Sequence, residues 1–545
     1  MITSTAQRIQ ALTRSGSWGN DSLHSMLAHH ASVRPQQLAV RDQPNREQLT
    51  GTPPLSLSWA ELEWASESLA CQLQRQGVVE DDRLIVQLPN VAELLVVYYA
   101  ASKIGAIVSP VPVQYGSHEL RSIADALDAT GLITLGQFRN SDLAAAACEA
   151  LPGINAMVFG DELHIDVVDT GQRCTAVDND ANRILSICWT SGTTGTPKGV
   201  PRSHNMWFAT ARCSMAAGNY SAADILLNPF PLVNMAALGG FLFPSALLGC
   251  AIVLHHPLDP PLFLQQMQDE KISFTIAPPA LLNQLAKNPE LWNQFDFSAL
   301  RRVGSGSAPL APWMIETFSR DFGKEVVNFY GSNEGISLFA TPENAAEPEV
   351  RAAMFSQPTS DATCTTRVTD PDTSRELTRK GERGELLISG ATVFDGYLAH
   401  DNNDVFDKDG YFRTGDLVEI CGDSGDYYRI VGRCKDIINR GGMKISPVEL
   451  DVALEQLAGV AEAAVCAYPD DRLGEKICAC LVLAQGATEP TLESLQQVLL
   501  ESGFAKFKLP ERIELFDQLP RNALAKVQRF VLQDSVAKRV ERKPL

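Results

Sequence analysis

The sequence of 545 residues predicts an α/β protein with two domains. The N-terminal domain, residues 1–434, is expected to hold stacked, mostly parallel sheets with helices, plus a small β-barrel-like part. The C-terminal domain, residues 435–545, is expected to be a smaller α+β unit. Three observations lead to this division. Strand-like runs alternate with helix-like stretches, residues 345–380 are polar and rich in Pro, Thr and Asp, and a compact α+β pattern begins at Lys435.

Short apolar runs rich in β-branched residues predict the strands of the N-terminal domain. They alternate with stretches of helical length, such as residues 91–105, and this alternation is typical of βαβ units. Ligands bind beyond the carboxyl ends of parallel strands, and three of the runs lead directly into small or polar residues. The runs are RLIVQL (83–88), AIVSPVPV (106–113), RILSICW (183–189), AIVLHH (251–256), ISFTIAPP (272–279), LRRVGSGSAPL (300–310) and EVVNFYGSNEG (325–335).

The last part of the chain carries a different pattern. Short strands joined by Asp/Gly turns are predicted from GELLISG (384–390) to YYRIVGR (427–433). Ser446 and Pro447 are well suited to the N-cap and the first position of a helix. Two strands, at 461–469 and 476–484, and a helix at 491–502 complete the predicted α+β unit.

Composition and charge limit the possible partners and location. The net charge of −19 argues against a nucleic-acid partner, because such a surface needs clustered cations. Residues 1–16 lack the apolar core of a signal peptide. The apolar stretch 238–254 is interrupted by Pro244 and falls short of the ~20 residues that span a bilayer. The twelve cysteines show no repeated spacing and are expected to be reduced, mostly in the core. We therefore expect a cytoplasmic protein without a transmembrane segment.

The segment TSGTTGTPKGV (190–200) follows a predicted buried strand and combines glycines, hydroxyls and a lysine. Glycines let backbone N–H groups turn toward a ligand, and hydroxyls add donors, so the composition suits phosphate binding. The P-loop signature is excluded, because Gly192 and Gly195 are too close together and Lys198 does not follow a glycine. A plain connecting loop has a similar composition, so these residues alone leave both interpretations open.

Four further segments complete a resemblance to one protein family. They are YGSNEG (330–335), YFRTGDL (411–417), VGRCKDIINRGGMKISPVELD (431–451) and LPRNALAKVQR (519–529). With the loop at 190–200, they resemble, in order, the motifs of the adenylate-forming superfamily. That superfamily includes acyl- and aryl-CoA synthetases, aryl acid–AMP ligases, peptide-synthetase adenylation domains and firefly luciferase. The resemblance covers roughly residues 20–535 and implies an acid–thiol ligase that forms an acyl-adenylate from ATP, releases pyrophosphate, and uses Mg²⁺ and coenzyme A.

The resemblance also implies roles for individual residues. Joining two anions requires neutralisation of their charge. The resemblance implies that Lys526 does this by contacting the acid carboxylate and the α-phosphate. Glu334 is implied to hold Mg²⁺, and Asp416 to accept both ribose hydroxyls. Without the resemblance, Glu334 is an exposed loop carboxylate and Lys526 a solvated lysine. The implied catalytic residues are Lys526, Thr194 and Glu334. The implied ATP-binding residues are Thr190, Ser191, Gly192, Thr193, Thr194, Gly195, Lys198, Ser307, Ala308, Pro309, Asn328, Phe329, Tyr330, Gly331, Asn333, Asp416, Arg433 and Lys526.

The thiol-transfer step is implied to involve motion of the small domain. In the family this domain rotates between the two half-reactions about a hinge that aligns with Lys435. After rotation, Gly441 and Gly442 are implied to let the pantetheine pass close to the backbone, and Lys444 to meet a CoA phosphate. The glycine pair could also form a turn and nothing more.

The expected acid pocket departs from the family pattern. Asn234 replaces the histidine of the family's Pro-x-x-His segment, and Met235 follows it. Siderophore-forming aryl acid–AMP ligases carry His-Asn there, so a 2-hydroxybenzoate pocket is not expected. Gly239 and Gly306 are expected to leave room for a ring or a medium-length chain, and Met235 to make the pocket apolar. We expect a CoA ligase for an aromatic, alicyclic or medium-chain carboxylic acid.

Two further departures are Asn333, in place of the usual threonine before Glu334, and Ala525, in place of the glycine before Lys526. Both are expected to lower activity mildly. The main alternative is an adenylating enzyme that loads a separate carrier protein, because AKFKLP (505–510) resembles the aryl acid–AMP ligases. A luciferase-like oxidase and a catalytically silent nucleotide-binding module are more distant alternatives.

Overall fold

A computed structural model gives the fold of the chain and describes residues 1–190, 197–306, 310–358, 363–441, 443–470, 472–502, 504–522 and 526–542. The chain divides into two compact units. The first comprises Met1–Thr366 and Ile388–Phe412, and the second Arg367–Leu387 and Arg413–Leu545. The predicted boundary of a mobile domain at residue 435 concerns motion and stays a prediction.

The first unit contains two large sheets and a short hairpin. Its strands are β1 Leu38–Arg41, β2 Ser56–Ser58, β3 Arg83–Gln87, β4 Ile107–Pro110, β5 Gly131–Leu135, β6 Gln137–Phe138, β7 Ser141–Asp142, β8 Asn155–Phe159, β9 Ile184–Thr190, β10 Lys198–Ser203, β11 Ile225–Asn228, β12 Ala251–Leu254, β13 Phe274–Ile276, β14 Arg302–Gly306, β15 Glu325–Gly331, β16 Ser337–Ala340 and β17 Met354–Ser356. Strands β6 and β7 form the hairpin.

Both large sheets are mostly parallel, as predicted. The six-stranded sheet has the order β10-β9-β4-β3-β5-β8, and only its edge strand β10 runs antiparallel to its neighbour. The eight-stranded sheet has the order β16-β15-β14-β13-β11-β12-β1-β2, with β16 and β2 antiparallel at its two edges. The carboxyl ends of β9, β14 and β15 therefore lie where ligands of α/β proteins collect.

The helices of the first unit are placed by their apolar content and their caps. Helix α5 is buried at every position, as its near-continuous apolar sequence requires, and α4 begins with a capping box between Ser58 and Glu61. The helices are α1 Ala6–Arg14, α2 Leu23–Val33, α3 Arg46–Thr50, α4 Trp59–Arg75, α5 Ala92–Ile104, α6 Ser117–Leu127, α7 Leu143–Ala150, α8 His204–Gly218, α9 Met235–Ala237, a π-helical turn Leu238–Leu242, α10 Phe243–Leu248, α11 Pro260–Asp269, α12 Pro279–Lys287, α13 Pro289–Trp292, α14 Pro312–Arg320 and α15 Pro348–Ala353.

The predicted small β part is a sheet whose strands pair in the order β22-β21-β20-β18-β19. Several of these strands cross the divisions between the two units. Their bounds are β18 Cys364–Thr369, β19 Glu376–Leu377, β20 Arg383–Gly390, β21 Phe412–Cys421 and β22 Tyr427–Arg433.

The end of the second unit has the predicted α+β pattern. Strands β25 and β26 form a long antiparallel pair, and β27 joins β26 in parallel. The elements are β23 Ile438–Arg440, β24 Met443–Ile445, α16 Pro447–Glu455, β25 Val460–Asp470, β26 Gly474–Leu483, α17 Leu492–Glu501, a 3₁₀ turn Lys506–Lys508, β27 Arg512–Leu515 and α18 Arg529–Arg542. Ser446 is the N-cap of α16 by position, but its hydroxyl donates to the carbonyl of Val431 instead of capping the helix.

Two expectations from composition can be compared with the structure. All twelve cysteines are free thiols, and eight of them are buried, including Cys466 and Cys478, which are register partners on β25 and β26. Within the described ranges, no helix is both long enough and apolar enough to cross a bilayer.

Candidate active site

The glycine- and hydroxyl-rich segment connects two antiparallel strands. Thr190 ends β9 and pairs with Lys198, which begins β10. Strand β9 is almost entirely buried, so it brings Thr190 to the surface at a fixed position. Residues 191–196, which include the predicted ligands Ser191, Gly192, Thr193, Thr194 and Gly195, lie outside the described residues.

Glu334 is nearly buried and lies in the loop between β15 and β16. A second segment, residues 392–398, packs along this loop. The amide of Phe394 donates to the carbonyl of Glu334 at 3.0 Å, and the Thr392 hydroxyl donates to the carbonyl of Gly335 at 2.8 Å. Gly335 has a φ of +117°, and a Cβ there would overlap the carbonyl oxygen of Thr392. The close approach of these two segments therefore requires glycine and fixes Glu334.

Tyr397 is a site residue that the sequence reasoning missed. Its hydroxyl donates to Oε1 of Glu334 at 2.8 Å, and Nζ of Lys198 lies 4.7 Å from the centre of its ring. The next residue, Leu398, donates its amide to the carbonyl of Gly199 at 2.9 Å. Tyr397 thus contacts both Lys198, of the segment predicted to bind phosphate, and the carboxylate predicted to bind Mg²⁺. The available signal was a tyrosine and a glycine shortly after the predicted strand GELLISG.

Replacing Tyr397 with phenylalanine is expected to weaken Mg²⁺ binding in the presence of ATP by about 10-fold to 100-fold, because outer-shell hydrogen bonds orient metal-binding carboxylates. The ring over Lys198 is retained, so the fold should not change. Titration of activity with Mg²⁺ measures the effect. Tyr411→Phe, which removes a hydroxyl that contacts Thr365, is the control. An unchanged Mg²⁺ dependence would show that the hydroxyl of Tyr397 does not position Glu334.

Asn333 connects three parts of the site through its own hydrogen bonds. Its Oδ1 accepts from the amide of Met235 at 2.8 Å, and its Nδ2 donates to the carbonyl of Trp189 at 3.3 Å. Its carbonyl accepts from the guanidinium of Arg202 at 2.6 Å. The side-chain amide is therefore engaged with backbone groups of the protein, and its predicted contact with ATP stays a prediction.

The predicted adenine-binding residues lie at the ends of β14 and β15. The ring of Tyr330 is half-buried, 5.7 Å from the ring of Phe355. Asn328 is buried, and its amide nitrogen donates at 3.0 Å to the carbonyls of both Arg351 and Ala352. Phe329 and Gly331 belong to the same strand. Ser307, Ala308 and Pro309 lie outside the described residues.

The residues of the predicted acid pocket lie at the start of α9, in the π-helical turn that follows it and at the end of β14. Asn234 caps α9, with its Oδ1 accepting from the amide of Ala237 at 3.3 Å. A Cβ on Gly239 would press against Thr210, and one on Gly306 would overlap the backbone of Phe329. The packing of the protein itself therefore requires small residues at these two positions. The room that they provide for an acid stays a prediction.

In the second unit, Asp416 and Arg433 meet across β21 and β22. They are register partners, and Nε of Arg433 lies 2.9 Å from Oδ1 of Asp416. The amide of Asp416 also donates to the hydroxyl of Thr414 at 3.0 Å. The aspartate side chain is 14% exposed and the arginine 49%, so the pair presents a carboxylate with a neighbouring cation at the surface of its unit.

Lys526 is hydrogen-bonded to Asn522, four residues before it along the chain. The amide of Asn522 donates to the carbonyl of Lys526 at 2.9 Å, and the amide of Lys526 donates to Oδ1 of Asn522 at 3.0 Å. Residues 523–525 between them lie outside the described part of the chain. Arg529, which begins α18, forms an ion pair with Asp451 of α16. Both the amide and the carbonyl of Lys526 are thus held by hydrogen bonds.

The predicted hinge and thiol-site residues lie around the hairpin of β23 and β24. Lys435 is exposed just after β22. Gly441 has a φ of +57°, and its amide donates to the carbonyl of Leu473 at 2.8 Å, so it forms part of the turn. Gly442 and the side chain of Lys444 lie outside the described residues.

Glu334 suits the Mg²⁺ role that the resemblance implies. Among the described residues, no group of three or more His, Cys, Asp or Glu side chains is arranged to hold a metal ion. Mg²⁺ in ATP-dependent enzymes needs only one or two carboxylates, because the phosphates supply further oxygen ligands. A single, nearly buried carboxylate fixed by Tyr397 meets this requirement.

Comparisons with known proteins identify the family of the chain. The family described as "AMP-binding enzyme" matches residues 31–398, and "AMP-binding enzyme C-terminal domain" matches residues 449–526. The chain is 30% identical to the indoleacetate–CoA ligase of Aromatoleum aromaticum, with 95% of this chain and 98% of that protein covered. It is 28% identical to the medium-chain fatty-acid–CoA ligase of Escherichia coli, over 99% and 94% of the two chains.

The fold matches a solved structure as well. The ATP-bound crystal structure of MatB from Rhodopseudomonas palustris superposes with a TM-score of 0.80 at 25% identity, covering 95% of this chain and 99% of that one. Relatives of the chain include both acyl- or aryl-CoA ligases and adenylating enzymes that load carrier proteins. The chain belongs to the AMP-binding enzyme family, within the adenylate-forming superfamily, and is an AMP-forming acid–thiol ligase.

Proposed function

We propose that the protein is an ATP-dependent acyl-CoA synthetase that acts on an apolar aromatic, alicyclic or medium-chain carboxylic acid. The observation that supports this most directly is the group formed by Lys198, Tyr397 and Glu334. It combines a cation suited to phosphate with a carboxylate suited to Mg²⁺, next to the segment that begins at Met235. Such a group neutralises a triphosphate that an organic anion must approach.

In the first half-reaction, an oxygen of the acid attacks the α-phosphorus of ATP, and the bond to the β-phosphate breaks. Lys198 and the segment 191–196 hold the β- and γ-phosphates, and Mg²⁺ on Glu334 would neutralise further charge there. Asp416 accepts the ribose hydroxyls, with Arg433 beside it. The role proposed for Lys526 is to stabilise the charge that develops at the α-phosphate as pyrophosphate leaves.

In the second half-reaction, the thiol sulfur of CoA attacks the acyl carbon, and AMP leaves. We propose that rotation about Lys435 moves Lys526 away from the adenylate and brings Gly441 and Gly442 toward it. Lys444 would then meet a CoA phosphate. Closure of this kind also excludes water from an adenylate that would otherwise hydrolyse.

The proposed apolar acid follows from the residues of α9 and the adjoining π-helical turn. Met235 is half-buried and Leu238 is buried, and neither offers a hydrogen bond from its side chain. Pyrophosphate release with benzoate, phenylacetate, cyclohexanecarboxylate and octanoate, each with and without CoA, tests the proposal. We expect release with at least one of them and turnover that rises with CoA. Greater release with malonate or succinate, offered in the same assay, would contradict the apolar assignment.

The second candidate is a ligase that loads a separate carrier protein, because some relatives load carrier proteins. The two candidates differ only in the thiol. Release of AMP by free CoA, compared with release by a phosphopantetheinylated carrier protein, distinguishes them. We expect CoA to serve as the acceptor. Release by the carrier protein alone would favour the second candidate.

A further inference from the structure

We infer that Asn333 is a positioning residue that couples binding of the carboxylic acid to binding of ATP. This inference rests on the proposed adenylation activity but not on the identity of the thiol acceptor. Asn333 precedes Glu334, the carboxylate proposed for Mg²⁺. Its side chain bridges Met235, near the start of the segment proposed to bind the acid (234–240, the acid-binding segment), and Trp189 of β9, the strand that precedes the segment proposed to bind phosphate.

The bridge depends on both ends of the amide. Oδ1 accepts from Met235 and Nδ2 donates to Trp189, which lie 98 and 144 residues away along the chain. The side chain is nearly buried, so each bond is shielded from water and each lost partner would leave a buried backbone group unsatisfied. An amide offers a donor and an acceptor to two different segments at once. This accounts for an asparagine at a position where the family motif has threonine.

Arg202 supports this bridge through its hydrogen bond to the carbonyl of Asn333. It is fully buried, and its second terminal nitrogen donates to the carbonyl of Met206 at 3.0 Å and to the hydroxyl of Thr210 at 2.8 Å. Its guanidinium carbon lies 4.4 Å from the ring centre of Trp207. Burial lowers the pKa of Arg202 to about 10, so the group stays charged at neutral pH and forms a strong bond to the Asn333 carbonyl.

The same arginine provides a second connection to the acid-binding segment. Thr210, which accepts its hydrogen bond, is the residue against which a Cβ on Gly239 would press. Displacement of the segment 234–240 by an acid is therefore transmitted to both Thr210 and Asn333. Because Asn333 is also bonded to Trp189 of β9 and directly precedes Glu334, a shift of Asn333 is expected to move the carboxylate proposed for Mg²⁺ relative to β9. Binding at one site then changes affinity at the other, and by linkage the effect is reciprocal.

Calorimetry with Mg²⁺ and α,β-methylene-ATP, which cannot be cleaved at the reacting bond, tests this coupling. The acid is whichever of benzoate, phenylacetate, cyclohexanecarboxylate and octanoate gives the most pyrophosphate release. For the unmodified protein we expect the Kd of the nucleotide to fall at least fivefold when the acid is present. In Asn333→Ala we expect this ratio to drop below twofold. Asn333→Asp has the same size, keeps the acceptor and loses the donor, so it should lose the coupling without leaving a cavity.

Asn205→Ala is the matched control. Asn205 is also buried and also bridges backbone groups, since it accepts from the amide of Gly19 at 2.9 Å and donates to its carbonyl at 3.1 Å. It should lower thermal stability and leave the coupling intact. Coupling of unmodified size in both Asn333 variants, or none in the unmodified protein, would overturn the inference. Absence of pyrophosphate release with every acid would instead contradict the proposed function.

Discussion

Replacing Lys526 with alanine is expected to reduce acid-dependent pyrophosphate release by about a thousandfold or more, because the variant loses a cation at the reacting phosphate. The hydrogen bonds between Lys526 and Asn522 use the backbone of Lys526 and not its side chain, so they should persist in the variant. Thermal stability should therefore stay close to that of the unmodified protein. Single-turnover formation of acyl-adenylate measures the loss directly.

Lys538→Ala provides the control for this prediction. Lys538 is an exposed lysine on α18 of the same unit, so its loss changes the net charge equally and leaves Lys526 in place. Thioester formation from pre-formed acyl-adenylate should survive in Lys526→Ala, since the lysine is assigned to the first half-reaction. Adenylate formation at the unmodified rate in Lys526→Ala would remove the residue from the mechanism.

The second large effect is expected for Glu334→Gln. The amide keeps the size of the side chain and still accepts a hydrogen bond from Tyr397, but it is a poor ligand for Mg²⁺. We expect adenylate formation to fall by about a hundredfold, since metal neutralisation of phosphate is worth several kcal/mol. Part of the loss should be recovered at high Mg²⁺ concentration. A titration with Mg²⁺ at saturating ATP measures both effects.

Glu349→Gln serves as the control, because Glu349 is an exposed carboxylate on α15 of the same unit. It should show unmodified Mg²⁺ dependence. If Glu334→Gln shows a large loss of activity that is independent of Mg²⁺, the carboxylate has another role in the site.

The sheets were predictable because each buried strand appears in the sequence as a short apolar run followed by polar residues. Strand β9 is a continuous apolar run that ends in polar residues, and the helix at 491–502 differs from α17 only at its ends. The prediction of mostly parallel sheets is confirmed by the pairing of β3, β4, β5, β8 and β9. Asp416 and Arg433 were predicted as separate ligands, and antiparallel pairing of their strands makes them neighbours.

The missed features arise from contacts between distant parts of the chain. Tyr397 acts on a carboxylate 63 residues away, and nothing in its local sequence indicates that pairing. The motif predicts that the side chain of Asn333 binds ATP, whereas in the fold this side chain is hydrogen-bonded to backbone groups of Met235 and Trp189. The hydroxyl of Ser446 donates to the carbonyl of Val431 and does not cap the helix that begins after it. Local propensity gives the position of such residues, but tertiary packing decides their partners.

The most direct test of the proposed adenylation reaction is exchange of labelled pyrophosphate into ATP by the purified protein, without any thiol. We expect exchange that requires both Mg²⁺ and a carboxylic acid and that disappears in Lys526→Ala. A protein that binds ATP but exchanges no pyrophosphate with any acid in the panel would contradict it.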